Sequence, residues 1–367
     1  MDDLQCIGCG STIQSNDKLK AGFIPESKLS GDDLGDVVCQ RCFRLKNYNE
    51  ILPSNINSDE YLNIISEIGK SDALIVKIID IFDIEGTLIP QIAKLTNHND
   101  LLILANKVDL IPKSLKESKL IHHLRKIIAD SDLKPLDIKL MSATKNRNID
   151  SIIDTIISYS RGRDVYVVGA TNVGKSTFIN TLLRLYANTT KDVITVSNLS
   201  GTTLNLIKIP FGKGKIIDTP GLINKNQITH YLTQKSVNII TPKKEIKPKG
   251  FQLNSEQTLF IGGLARIDFV SGEKSNFICY FSERLNIHRT KLSNADNLYD
   301  TQQFKLLSPP TIDDDEFIFA KHNFKLNGNI KQDIILPGLG FVSVKGKVDI
   351  TVHYKKGLVP YIRDTII

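Results

Sequence analysis

The chain has 367 residues, of which 41% are hydrophobic and 24% charged, with a formal net charge of +7. This is the balance of a soluble globular protein with room for two or three domains. No run approaches the roughly eighteen apolar residues a membrane span needs, so no membrane partner is expected. The mild basic excess suits a nucleic-acid partner without establishing one.

The first residues, MDDLQCIGCG, carry neither a secretory apolar core nor an Arg-rich transit pattern, so a cytoplasmic protein is expected. Four of the five cysteines form two C-x-x-C pairs, Cys6 with Cys9 and Cys39 with Cys42. In a reducing compartment, two such pairs favour a four-cysteine zinc site, each giving two corners of a tetrahedron. A redox dithiol would need only one pair. Cys279, in an apolar run, reads as an ordinary strand residue.

From Asp72 onward, strands and helices alternate. ALIVKIIDIFDI, DLLILANKVDLI, DIKLMSAT and the run at Val165–Val168 read as strands. GTLIPQIAKLTN, LKESKLIHHLRKIIADS and NIDSIIDTIISYS read as helices. Alternation of this kind predicts a parallel sheet with helices on both faces, and ligands bind such sheets at the carboxyl ends of the strands.

The strand ends carry the chemistry. Asn106-Lys107-Val108-Asp109 has the N-K-x-D pattern by which Ras-like GTPases recognise guanine. The Asp109 carboxylate can accept from guanine N1–H and the exocyclic amine, a donor pair that adenine lacks. Asn106 would orient the loop, and the Lys107 stem would lie over the base. Ser142-Ala143-Thr144 follows the next strand, with the Ala143 N–H placed to meet guanine O6. Gly169, Gly174, Lys175 and Ser176 then fit G-x-x-x-x-G-K-[ST], between a predicted strand and a predicted helix. Glycines let successive N–H groups turn toward phosphate oxygens, and the helix N-terminus adds its dipole. Val173 and Thr177 complete the cradle. Lys175 would reach the β- and γ-phosphates, and the Ser176 hydroxyl would ligate Mg2+. Asn172, at the fourth loop position, either helps hold a potassium ion against the phosphates or caps the turn.

Further along, Thr203, preferred over Thr202, would close on Mg2+. In DTPG, Asp218 would hold Mg2+ through water and the Gly221 N–H would sense the γ-phosphate. Leu222 stands where many GTPases carry a water-orienting glutamine, so slow intrinsic hydrolysis is expected. The catalytic set read from the sequence is Lys175, Ser176, Thr203, Asp218, Gly221 and Asn172, with GTP or GDP, Mg2+, Zn2+ and K+ as cofactors.

An ordinary Ras-like domain runs phosphate loop, switch threonine, DxxG, NKxD, SA. Here NKVD and SAT come first, the order of a circularly permuted domain, which close termini make tolerable. Together with CIGCG, CQRCFRLKNYN, DIFDIEGT, GATNVGKST, GTTLNLIKIP and DTPGL, this order resembles the YqeH family of GTPases over essentially the whole chain. The resemblance implies a circularly permuted Ras-like α/β domain, an N-terminal treble-clef-like zinc finger, a β-rich C-terminal domain likened to the trp RNA-binding attenuation protein, and a role in assembling the small ribosomal subunit.

Past Gly221, INKNQITHYLTQKSVNII reads as a second switch and its helix, and TPKKEIKPKG as a Pro- and Lys-rich linker. The remainder is short β-rich runs with Gly turns. Tyr280, Phe281 and Phe341 are either an RNA surface or core aromatics. Three domains are expected: zinc-binding 1–55, GTPase 56–240 and a β-rich RNA-binding region 241–367. Two functions fit. One is a GTP-switched assembly factor acting on the small subunit or its precursor through 16S rRNA, with no DNA partner. The other is a GTPase that gates a separate RNA-modifying or translation partner.

Overall fold

Aliphatic, β-branched runs build the first sheet. The computed structural model describes residues 4–7, 11–18, 20–29, 37–48, 55–56, 58–89, 92, 98–186, 195–198 and 205–365. It separates into two compact units, Met1–Val108 with Ile121–Asn224, and Asp109–Leu120 with Lys225–Ile367.

The first unit opens with α1 (Gln40–Tyr48), β1 (Asn55–Ile56) and α2 (Ser58–Ile68). Strands and helices then alternate through β2 (Ala73–Asp80), α3 (Ile84–Leu88), β3 (Asp100–Asn106), α4 (Glu117–Ala129), β4 (Asp137–Leu140), α5 (Ile149–Ser160), β5 (Asp164–Gly169) and α6 (Lys175–Tyr186). β6 (Thr195–Asn198), β7 (Asn205–Phe211), β8 (Gly214–Asp218) and β9 (Gly221–Leu222) complete it. The seven-stranded sheet runs β4-β3-β2-β5-β8-β7-β6. Neighbours from β4 to β8 are parallel. The expected all-parallel sheet is corrected at one edge, where β7 and β6 add antiparallel strands. The helix expected over GTLIPQIAKLTN starts earlier, at Ile84, and its regular part ends at Leu88; residues 90, 91 and 93–97 lie outside the described set.

β2 is central and buried along all of Ala73–Ile79, as a strand covered on both faces must be. The exception to its aliphatic character is Lys77, fully buried and in register between Ile103 of β3 and Val168 of β5. A short parallel pairing of β1 with β9 places Asn55 beside Gly221 and Ile56 beside Leu222. Among the described residues, no helix is long and apolar enough to cross a membrane.

The second unit continues with α7 (Gln234–Ile240), β10 (Lys249–Leu253), β11 (Gln257–Ile261), β12 (Ala265–Gly272), β13 (Ser275–Tyr280) and β14 (Ile287–Lys291). It ends with α8 (Ala295–Gln302), β15 (Phe319–Asn327), β16 (Gln332–Leu336), β17 (Gly340–Lys345), β18 (Lys347–Lys355) and β19 (Tyr361–Asp364). Two five-stranded antiparallel sheets form, β10-β13-β17-β16-β19 and β14-β11-β12-β18-β15. One core joins residues of both, with the Phe269 and Phe277 rings 5.4 Å apart. Each buried phenylalanine of this kind contributes about 1.5–3 kcal/mol by leaving water.

The structure decides one open reading and revises another. Tyr280, Phe281 and Phe341 are core residues, with Tyr280 and Phe341 stacked at 4.7 Å. The expected linker 241–250 is integral to this unit. Ile246, its single large aliphatic side chain, is 3% exposed and donates its N–H to Leu110 O, while Glu245 accepts from Lys113 N, and β10 begins at Lys249.

Candidate functional site

The phosphate loop lies between β5 and α6, at the carboxyl end of the parallel strands, as the strand-turn-helix pattern requires. Two residues take left-handed backbone, Asn172 at φ 63° and Gly174 at φ 92°. Gly174 cannot be replaced freely, since a Cβ there would sit 2.2 Å from Asn106 Nδ2. Asn106 explains the close approach. Its Nδ2 donates to Val173 O at 2.8 Å, and its Oδ1 accepts from Ala143 N at 3.0 Å. One buried side chain at the end of β3 therefore clasps the phosphate loop to the SAT loop. Thr181 of α6 adds a bond to Ala143 O at 3.2 Å. Within the SAT loop, the Ser142 hydroxyl lies 3.3 Å from that of Thr144 and accepts from Lys145 N.

Lys175, at the start of α6, and Asp218, at the end of β8, come together. The Lys175 ammonium donates to Asp218 Oδ1, and both side chains are buried. Burial draws the Lys175 ammonium below the ordinary lysine range, against the attraction of Asp218. The two are set by register, since Asp218 pairs with Val167 of β5 and Thr219 donates from its hydroxyl to Val167 O at 2.8 Å. Beyond DTPG, Leu222 O accepts from Thr171 N at 2.8 Å, so the stretch after Gly221 is tied directly to the phosphate loop. Ser176 and Thr177, half-buried, start α6, and Asn172 is exposed.

Lys107, expected over the base, donates to Asp80 Oδ2 at 2.5 Å from a backbone at φ 69°. Asp80 ends β2, and motif reading does not single it out although it opens the DIFDIEGT stretch. A carboxylate closing a strand beside two tagged strands is the available signal. Asp109 follows in a short 3-10 turn, Val108–Leu110, and its Oδ1 is buried with no hydrogen-bond partner among the described residues. Thr202 and Thr203 lie outside the described residues, so Thr203 remains an expectation.

A glycine cradle closed against Asn106 and a buried lysine beside a buried carboxylate fit a nucleoside triphosphate with Mg2+. Comparison with known proteins follows the same line. Residues 164–254 match the family model described as "50S ribosome-binding GTPase", and 274–366 match "YqeH-like, C-terminal". The chain is 47% identical over 371 residues to the "Uncharacterized protein YqeH" of Bacillus subtilis (strain 168), covering all of both chains. The chain belongs to the YqeH family. This YqeH-family protein is a GTPase, with GTP or GDP as ligand and Mg2+ as its companion ion. It is also 28% identical to "NO-associated protein 1, chloroplastic/mitochondrial" of Arabidopsis thaliana, over 83% of this chain and 62% of that one. With "Nitric oxide-associated protein 1" of Homo sapiens the identity is 25%, over 81% and 63%. The chain thus spans less than two thirds of the length of those two relatives.

Clasping predicts a phenotype for the GTPase. Asn106→Ala would strand a buried carbonyl and a buried N–H, each costing about 1–3 kcal/mol. GTP and GDP affinity should therefore fall together, roughly tenfold or more. Titration of fluorescent nucleotides checks this, and a fall confined to hydrolysis would refute the clasp.

The amino-terminal cysteines form a second centre. Cys6, Cys39 and Cys42 are buried, with their sulfurs within 4.8 Å of one another, and Cys39 N lies 3.2 Å from Cys6 Sγ. Such a thiol set could hold zinc, with an N–H···S bond supporting it. Cys9 lies outside the described residues. Stoichiometric zinc should copurify with the reduced protein and be lost in Cys39→Ser. Metal analysis finding none in chelator-free preparations would overturn the assignment.

Proposed function

We propose that this GTPase is an assembly factor for the small ribosomal subunit, engaging 16S rRNA or a precursor particle in one nucleotide state and leaving in the other. The observation that carries the nucleotide half is the Lys175–Asp218 pair, at the start of α6 and the end of β8, beside a loop clasped by Asn106. Asn106 and Ala143 orient the base side and Asp109 reads it. Lys175 would neutralise the β- and γ-phosphate oxygens, and Ser176, Thr203 and Asp218 would hold the ion. Mg2+, when bound, would offset the negative charge of the phosphates. Zinc on Cys6, Cys9, Cys39 and Cys42 holds the amino-terminal module together.

The motif order, with NKVD on β3 and SAT after β4 preceding the phosphate loop on β5, is that of a Ras-like sheet cut at a different point. Circular permutation is our reading of it. The ribosomal half rests on kinship: membership of the YqeH family, and a matching model whose description names the 50S particle. The subunit is therefore the thing to test. Sedimentation with separated subunits should place the protein on 30S or precursor particles, more in a non-hydrolysable GTP analogue than in GDP. Cosedimentation with 50S alone, or with neither, would overturn the proposal.

Potassium is the proposed supplement to hydrolysis. Leu222 offers no side-chain group to polarise water, and Asn172 stands exposed on the loop in the left-handed conformation. A cation held there supplies charge toward the phosphates. Turnover should be higher in KCl than in NaCl at equal ionic strength, and Asn172→Ala should remove the difference. Equal rates would leave Asn172 as a turn cap.

A further inference from the structure

The zinc-type module and the nucleotide site meet at one residue. Arg41 lies between Cys39 and Cys42, at the start of α1, and its Nη2 reaches Asp218 Oδ2 at 3.4 Å. The other oxygen of the same carboxylate accepts from Lys175. Arg41 is mostly buried, at 13% side-chain exposure, and its Nε is buried with no partner among the described residues. A buried and a mostly buried cation thus share one carboxylate. Burial without full neutralisation is costly, and a site with this excess is suited to a polyanion.

We infer that Arg41 is an arginine supplied in cis to the GTP phosphates, and that the cysteine cluster holds it there. This rests on the nucleotide-site reading above. Arginine suits the task because it stays charged and presents a planar fork of donors that matches phosphate oxygens. Its position explains why the carrier is a metal-type knuckle. α1 begins at Gln40, immediately after Cys39, and Cys42 lies on the helix itself. Fixing both sulfurs fixes the backbone of Arg41 between them. The Cys39 carbonyl also accepts from Phe43 N at 2.9 Å, and Gln40 N donates to Phe23 O at 2.8 Å, so the turn is held on both sides. A guanidinium placed this way stabilises negative charge on the transferring phosphoryl group, while Lys175 and Asp218 remain the lysine and ion-side carboxylate. The bond that breaks is the one between the γ-phosphorus and the β–γ bridging oxygen, whose electron pair leaves with GDP, and the one that forms is to a water oxygen, whose proton passes to the released phosphate. Arg41 moves no proton.

A structural alternative is that Arg41 only fastens the module to the sheet. The two differ in what is lost. Full-length wild type, Arg41→Ala and Arg41→Lys are compared after each is shown to hold stoichiometric zinc. Binding of GDP, of GDP with aluminium fluoride, and single-turnover GTP hydrolysis are measured. Arg41→Ala should leave GDP affinity within about threefold, yet lower both the aluminium-fluoride complex and hydrolysis on the order of 10²- to 10³-fold. Arg41→Lys should recover only part, and low concentrations of guanidinium should partly rescue Arg41→Ala but not wild type. Cys39→Ser should show the same selective loss, and the double variant no further loss. Hydrolysis and aluminium-fluoride binding within threefold of wild type in zinc-loaded Arg41→Ala would overturn the inference alone. A wild type that binds no GTP would overturn the nucleotide site as well.

Discussion

Replacing Lys77 by methionine should stabilise the sheet-bearing unit at neutral pH by a few kcal/mol and flatten its pH dependence. Lys77 is fully buried in β2, its Nζ has no hydrogen-bond partner among the described residues, and burial draws its pKa down to about 7. Its neighbours in register, Ile103 and Val168, are aliphatic. In the unfolded chain the same group titrates near an ordinary lysine value of roughly 10.4. Between about 7 and that value, the unfolded chain holds a proton that the folded one has released, so stability rises with pH across the window. Below it both states are protonated and the penalty is complete. Above it both are neutral and the penalty vanishes. Each unit of depression corresponds to about 1.4 kcal/mol, which sets the scale of the gain. Methionine keeps an unbranched stem of similar length and removes the charge. The α-helical circular dichroism signal reports mainly on this unit, because most of the helices among the described residues lie in it. Denaturation midpoints from that signal, taken near neutrality and at alkaline pH, give the answer. A destabilised variant, or an unchanged pH slope, would show that Nζ is paired in solution.

Lys77 also marks where sequence reading reaches its limit. ALIVKIID announces a buried strand because six of its residues are aliphatic, and the structure agrees. Nothing in that pattern says whether the lysine reaches water, because that depends on what covers the strand from elsewhere in the chain. The phosphate loop, NKVD, SAT and DTPG can be picked out of the sequence because each is local: a few residues at fixed spacing. Arg41 and Asp80 are not, because their partners, Asp218 and Lys107, are far away in sequence and only the fold brings them together. Residues 241–250 show the same asymmetry. Proline and lysine density suggests a linker, and the lysines are indeed largely exposed, yet a single buried isoleucine, Ile246, anchors the stretch to its own unit. In the β-rich unit, alternation reveals strands but not their partners. The pairing of β12 with β18, some eighty residues later, needs the structure.

Asp109→Asn should exchange guanine preference for xanthine preference, and it is the sharpest test of base recognition. Asp109 sits in the turn after β3, half-buried, with Oδ1 sealed from water and unpartnered among the described residues. A buried carboxylate oxygen left without a donor costs about 1–3 kcal/mol or more, so a ligand that supplies donors is strongly favoured. Guanine supplies two, from N1 and the exocyclic amine, whereas adenine presents an acceptor and a C–H on that edge. A site built for such donors rejects the analogue lacking them by orders of magnitude. In the asparagine variant, one acceptor becomes an amine that collides electrostatically with guanine N2 and pairs instead with the xanthine C2 carbonyl. GTP affinity should fall on the order of 10²- to 10³-fold, while XTP affinity rises above that of wild type. Competition titrations with GTP, XTP and ATP on both proteins measure the exchange. The Asn106 clasp and the Lys175–Asp218 pair are untouched by this substitution, so XTP hydrolysis should persist at saturating nucleotide. Wild-type protein that binds ATP as tightly as GTP would remove Asp109 from base recognition. A variant that loses all nucleotides equally would make it a structural carboxylate.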